Sequence, residues 1–331
     1  MIKILKNFKK IFIIILVLHL IAAGILGSVF LLKGKNNKDI MVMGAVLLKN
    51  EKDTEDKKVS TNEENMTEKY FRPSKLPVLN NRKEASKIIE DYFNEKPSDI
   101  ALPKELTKTP YDAVINYFSI LQEAENLPKD KMGGCGTIGW EKQPYPIAYN
   151  FLSSKYKSKV DYNTFLKSFE NIAHINLIKA ANITNELTGL GKIKYFVEME
   201  TIEGSDKGNT YFGYYYGFID IEKEKDTYRI SNMEFTGEDF LCAAYHGWRH
   251  NAEAYVDIVY GDWCKLIKKR LPTTQEGYIK NIEVNGTDGK DYKFVFMNLT
   301  NGTDVEVSQF VKDKDNTWKA IKINPENCLK K

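Results

Sequence analysis

The chain lacks the signatures by which many functions can be read directly. No H-E-x-x-H, G-x-S-x-G or G-K-[ST] motif occurs in its 331 residues, so zinc-protease, nucleophile-elbow and P-loop chemistry have no foothold. There is no basic tract either. Lys and Arg total 48 against 45 Asp and Glu, a formal net charge of +3, and the lysines are scattered among acids. Nucleic-acid binders concentrate Lys and Arg on one face, so no nucleic-acid partner is expected. Only four cysteines are present and none precedes Cys135, which excludes a lipid-modified cysteine near the N-terminus. No cofactor is expected.

What the chain does have begins at its N-terminus. Residues 11–32 carry no formal charge at neutral pH and are interrupted only by His19 and Ser28. A helix of that length reaches about 33 Å, enough for the roughly 30 Å hydrocarbon core of a bilayer. The apolar run exceeds the h-region of a signal peptide and continues past the small-residue stretch Ala22-Ala23-Gly24, so an uncleaved anchor is expected. Lys3, Lys6, Lys9 and Lys10 place the preceding tail in the cytoplasm. The expectation is a single-pass protein of the cell membrane with its domains extracytoplasmic and residues 11–32 as the membrane contact. Ile40–Leu48 is too short to span and reads as membrane-surface chain or a continuation of the anchor. Glu51–Lys69 has almost nothing to bury and reads as solvated linker.

The remainder has ordinary globular composition, 42% hydrophobic and 28% charged, and could fill two sizeable cores. Asn81 with Glu84 forms a capping-box pattern ahead of Ala85, Ile88, Ile89, Tyr92 and Phe93 at helical spacing. Thr109-Pro110 opens a second helix with Val114, Tyr117, Phe118 and Leu121 as its stripe. Two short helices, 146–157 and 161–172, lead into strands near 174–184, 192–202, 209–221 and 228–235. A helix over 252–270 then precedes strands near 277–284, 292–298, 305–312 and 318–323. The second set echoes the first: Lys194-Tyr195-Phe196-Val197-Glu198-Met199 is matched by Lys293-Phe294-Val295-Phe296-Met297-Asn298. A repeated strand–turn–strand unit implies two related domains.

Helices lead into a four-stranded antiparallel meander through Pro110-Tyr111-Asp112-Ala113-Val114-Ile115-Asn116-Tyr117-Phe118, Tyr149-Asn150-Phe151-Leu152-Ser153, Phe165-Leu166-Lys167-Ser168-Phe169 and His174-Ile175-Asn176-Leu177-Ile178. In these segments the chain resembles the NTF2-like superfamily, as found in membrane-anchored extracytoplasmic proteins of Gram-positive bacteria. The resemblance implies an α+β fold of two cone-shaped domains, helices on a curved sheet, with the second reduced. The boundaries are a tail at 1–10, a transmembrane helix at 11–32, a linker at 33–80, domain 1 with its preceding helix at 81–240 and domain 2 at 251–331. It also implies a non-catalytic binding or assembly protein with a protein partner or self-association. The alternatives are a subunit of a conjugation or type IV secretion-like channel and a small-molecule enzyme using the first cone.

Tyr117, Trp140, Tyr149 and Tyr215 are the residues that would rim a pocket in that cone. Glu198 and Glu200 share one strand face; with apolar Val197 and Met199 on the other, the glutamates are expected to face solvent. Cys242, His246 and His250 at i, i+4 and i+8 have ligand chemistry that suits zinc, although a packed interdomain junction explains the same residues. Gly134-Cys135-Gly136-Thr137-Ile138-Gly139 matches G-x-G-x-x-G, but it lacks the flanking strand and helix of a dinucleotide site and reads as a surface loop. The even cysteine count permits disulfides, with Cys264–Cys328 and Cys135–Cys242 as one pairing, or four buried thiols.

Overall fold

The computed structural model describes residues 40–48, 76–128, 140–189, 191–204, 210–238 and 247–329. Its first elements are β1 (Met41–Val42) and β2 (Ala45–Leu47), a tight hairpin turning through Met43 and Gly44 at positive φ. The helices α1 (Lys83–Ser86), α2 (Ile88–Asp91), α3 (Pro110–Gln122), α4 (Pro144–Tyr149), α5 (Ser154–Lys157) and α6 (Tyr162–Lys167) follow. The strands β3 (Ile172–Asn182), β4 (Lys192–Gly204), β5 (Thr210–Glu224) and β6 (Thr227–Gly237) then form an antiparallel meander.

Thr109 caps α3 by accepting the Asp112 backbone N–H at 3.0 Å, and Pro110 stands in the first turn where no N–H is needed. Residues 113–121 are all buried because α3 is enclosed by the meander and the shorter helices. The capping-box helix expected from Asn81 is instead two short turns, with Arg82 at the N-cap and no side-chain cap bond. The neighbouring Asn80 is fully buried. Its amide donates to the carbonyls of Phe118 and Ile175, each at 3.0 Å, and its oxygen accepts the Leu177 N–H at 2.8 Å.

Strand alternation divides the meander. Tyr195, Val197, Met199, Ile219 and Ile221 face the helices, where Tyr117, Phe151, Phe165 and Phe169 complete the first core. Each such ring, once buried, contributes roughly 2–3 kcal/mol. The β1–β2 hairpin joins this sheet, since β2 pairs parallel with β6 through Val46–Glu234 and Leu47–Phe235. Residues 40–48 are therefore sheet edge and core, with Met43 and Ala45 fully buried, rather than membrane-surface chain. A Cβ on Gly44 would lie 2.7 Å from the Phe165 ring.

The second sheet has its own helix. Asn251 caps α7 (Ala252–Tyr255), and Asp304 accepts the Ala252 N–H at 3.0 Å. The chain then widens into a π-helical stretch, Val256–Trp263, and stops at Lys265, which has φ 53°. The long helix expected to Arg270 is cut short there, and β7 (Ile267–Arg270) and β8 (Thr274–Glu276) take its place. The strands β9 (Ile279–Gly286), β10 (Asp291–Asn298), β11 (Asp304–Lys312) and β12 (Trp318–Ile321) form the second meander, and α8 (Glu326–Leu329) follows it. Tyr260 stacks on Phe294 at 4.1 Å between ring centres, within a core of Val256, Val259, Ile282, Val284 and Phe296. Cys264 and Cys328 are disulfide-bonded, with Cα atoms 4.8 Å apart.

A third apolar cluster joins the sheets through the faces turned away from the helices: Phe196 with Met297 and Leu299, flanked by Phe218, Tyr278 and Val307. Residues 41–331 group as one compact unit. The architecture is mixed α+β with two open sheets, ordered β1-β2-β6-β5-β4-β3 and β12-β11-β10-β9-β7, with β8 also on β9. Neither sheet closes into a cone, which corrects the expected pair of cone-shaped domains. The membrane reading is corrected as well. Among the described residues no helix is long and apolar enough to cross a bilayer, and α3, the longest, has 13 residues against the roughly 20 required. The expected span, 11–32, lies outside the described residues. The single-pass anchoring, the cell-membrane address and the membrane partner drawn from it are set aside, together with the anchored binding, channel and cone-enzyme functions built on that architecture.

Candidate functional site

Glu198 and Glu200 do not face solvent. Both are buried, at 0% and 6% exposure, and the turn between β10 and β11 of the second sheet reaches Glu198. Alternation placed them correctly opposite Val197 and Met199, but it carried no information about what would lie over them. A bulge in β3 explains the partner of Glu198. Leu177 pairs with Met199 and Lys179 with Glu198, so Ile178 is the extra residue and Lys179 is turned onto the glutamate face. Its ammonium sits 2.5 Å from Glu198 and 2.6 Å from the Asn298 carbonyl, while Glu198 accepts the Thr300 N–H at 2.7 Å. Glu238, just beyond β6, has both carboxyl oxygens shut off from solvent. Burial, and then the charge of Glu198, push its carboxyl well above the usual range. Beside this group Tyr214 donates to Glu200 at 2.8 Å, and burial followed by that carboxylate raises the phenol.

A second feature opens where the sheets meet. The turn after β3 (Ile183, Asn185, Leu187), with Lys194 and Phe218 on the first sheet, faces residues of β11 and the end of β12 across a cleft of about 300 Å³. Here β11 bulges: Ser308 pairs with Val295 and Glu306 with Phe296, leaving Val307 as the extra residue. That puts Val307 against the first sheet and brings Ser308 to 3.3 Å from Asn185, while Glu306 and Gln309 share bonds with Tyr260 on the helix side. The Tyr260 hydroxyl lies 3.0 and 2.9 Å from the two Glu306 oxygens, and Gln309 donates to that hydroxyl at 2.9 Å. Burial raises the Glu306 carboxyl to about 7, against the lowering effect of the bonds from Tyr260 and Gln309. Lys194 lies over the Phe218 ring at 5.0 Å and 3.8 Å from Asp220. Glu186 accepts the Ala320 N–H at 2.9 Å, fastening the β12 edge to the first sheet.

No family model, curated protein or solved structure matches the chain.

The residues foreseen as a pocket rim have separate fates. Tyr117 is fully buried against Phe118 and Phe151, with its hydroxyl 3.4 Å from the Met43 carbonyl. Tyr149 packs on Tyr162 and Phe165 and donates to the Val160 carbonyl at 2.8 Å. Tyr215 packs against the same core, and Trp140 sits at the surface edge-on to Phe93. Of the metal triplet, His250 lies in a turn, Gly247–His250, while Cys242 and His246 fall outside the described residues, as does Cys135. Among the described residues no cluster of His, Cys, Asp and Glu suits a metal ion. Sequence reasoning missed Lys179, Glu238, Tyr260 and Glu306. The two bulges that aim Lys179 and Glu306 leave no periodic signal.

Proposed function

We propose that this protein binds a small amphipathic carboxylate in the cleft between its two sheets. One observation carries the reading: the space foreseen for a ligand under the helices is filled by Tyr117, Phe151, Phe165 and Phe169, whereas a cavity of about 300 Å³ lies at the sheet junction. That volume is at the lower end of the roughly 300–1,000 Å³ typical of ligand sites. Phe218, Leu187 and Ile321 offer an apolar wall, Asn185 and Ser308 offer hydrogen bonds, and Lys194 and Lys322 supply positive charge at the rim. An aromatic or short aliphatic body with one carboxylate matches this lining. The test is a panel of aromatic carboxylates titrated against the full chain by NMR. Saturable shifts at Asn185, Phe218 and Ser308 that vanish in Ser308→Trp support the reading. No saturable shift at those residues, or shifts unaffected by Ser308→Trp, overturns it.

A further inference from the structure

The second sheet carries an enclosed charge pair of its own, and an amide shares it. Lys280 on β9 pairs with Phe296 on β10, and Asn298 stands two residues further along that strand, on the same face. Such diagonal positions are within reach of long side chains. Asp304 opens β11 directly opposite Asn298. Its carboxylate holds both neighbours at once. One oxygen lies 2.7 Å from the Lys280 ammonium and accepts the Ala252 N–H at 3.0 Å, while the other accepts the Asn298 side-chain amide at 2.8 Å. The aspartate side chain is 2% exposed and the lysine 16%, so water has little access to the pair.

An ion pair alone needs only Lys280 and Asp304. The Asn298 carboxamide on the second oxygen adds an electrophile to a nucleophile and a proton carrier, which together are the parts of an amide transfer. Asn298 is also fixed along its backbone. Its N–H donates to the Tyr278 carbonyl at 2.8 Å, and its carbonyl accepts the Lys179 ammonium at 2.6 Å. Groups held in this way react as though at effective concentrations of roughly 10⁵–10⁸ M when well oriented. We propose that Lys280 and Asn298 join in an intramolecular isopeptide bond, with Asp304 as the catalytic residue. Asp304 takes a proton from the Lys280 ammonium, and the freed Nζ attacks Cγ of Asn298. The Nζ–Cγ bond forms, Asp304 returns its proton to Nδ2, and the Cγ–Nδ2 bond breaks. The two protons that Nζ loses leave on the departing nitrogen as ammonium, and Asp304 ends as the carboxylate it began. No oxidant, cofactor or second substrate enters the balance. The product locks β9 to β10 by a covalent rung.

The test is mass spectrometry of the full chain, reduced and denatured, followed by tryptic mapping. The native chain should be lighter than its sequence by one ammonia. Trypsin should no longer cut after Lys280, and fragment 271–290 should be found joined to 294–312. Lys280→Met and Asp304→Asn should each restore the full sequence mass. A native chain of full sequence mass overturns the proposal. So does an ammonia deficit that persists in Lys280→Met, because a succinimide at Asn285-Gly286 or Asn301-Gly302 would account for it. A deficit that persists in Asp304→Asn overturns the role given to Asp304. Should that variant fail to fold, the native mass, the native map and Lys280→Met decide the bond without it.

Discussion

The Tyr260 hydroxyl reaches both carboxyl oxygens of Glu306, at 3.0 and 2.9 Å, and so fixes the π-helical stretch to the bulged strand of the second sheet. The contact favours the ionised carboxylate, yet burial outweighs it and leaves Glu306 titrating at about 7. A carboxyl raised from its ordinary 4.5 stabilises the fold fully below that value and loses the contribution as pH rises to about 7. The loss across that window is about 3 kcal/mol. Urea unfolding at a series of pH values should show this decline, and Glu306→Gln should flatten it and leave the variant more stable than the native protein in mild alkali.

The Cys264–Cys328 bridge ties the end of the π-helical stretch to the chain beyond β12, across a sequence separation of 64 residues. Loop-closure entropy for such a span is about 4 kcal/mol. The double substitution Cys264→Ser/Cys328→Ser should lower unfolding free energy by roughly that amount. It should also expose residues 322–329 to protease before the rest of the second sheet. An unchanged urea midpoint would show that the bridge adds nothing the strands do not already supply.

Gly217 is a matter of clearance. A Cβ there would lie 2.0 Å from the Glu234 carbonyl oxygen and 2.9 Å from the Phe235 Cα on the paired strand. Backbone cannot yield as a side-chain tip can, so Gly217→Ala should cost on the order of 2–3 kcal/mol in unfolding experiments. Gly277, which has nothing within 4 Å of its own Cβ position, has positive φ (58°) and serves as the contrast: strain without collision. Its alanine variant should cost about 1 kcal/mol.

Lys179→Met should be among the most damaging single changes, since it strands Glu198 and Glu238 without a counter-charge. Removing one partner of a buried ion pair costs about 3–5 kcal/mol. Lys179→Met/Glu198→Gln should recover part of that loss, because the remaining carboxyl can then stay protonated. Thermal unfolding of the two variants side by side gives the coupling directly.

Much of the secondary structure was legible because it rests on local pattern. Thr109-Pro110 marked the start of α3, and Val197 and Met199 showed which face of β4 meets the helices. The eight strands of the two meanders appear within a few residues of where alternation put them. What pattern could not show was which surface covers which. Glu198 read as solvent-facing because the chain that reaches it is the 298–302 turn, more than 90 residues on. Lys179 and Glu306 escaped because a bulge breaks the two-residue period at the position that matters. The helix expected through Arg270 fails for a related reason, since a π-helical stretch shifts the 3.6-residue register that extrapolation assumes.

The β1–β2 hairpin has a consequence for how the chain can be divided. It reaches the first sheet from outside the main run of strands, lays β2 parallel on β6, and fits Gly44 between Phe165 and the Tyr156 hydroxyl, which donates to the Gly44 carbonyl at 2.6 Å. Seven residues thus serve the rest of the chain as an inserted strand pair that completes an edge and plugs a core. A protein begun at residue 70 would present the bare edge of β6 and an unfilled slot beside Phe165, and would tend to recruit a strand from a neighbouring copy. The same peptide supplied separately should reoccupy its own place, as a missing piece of the fold returned in trans.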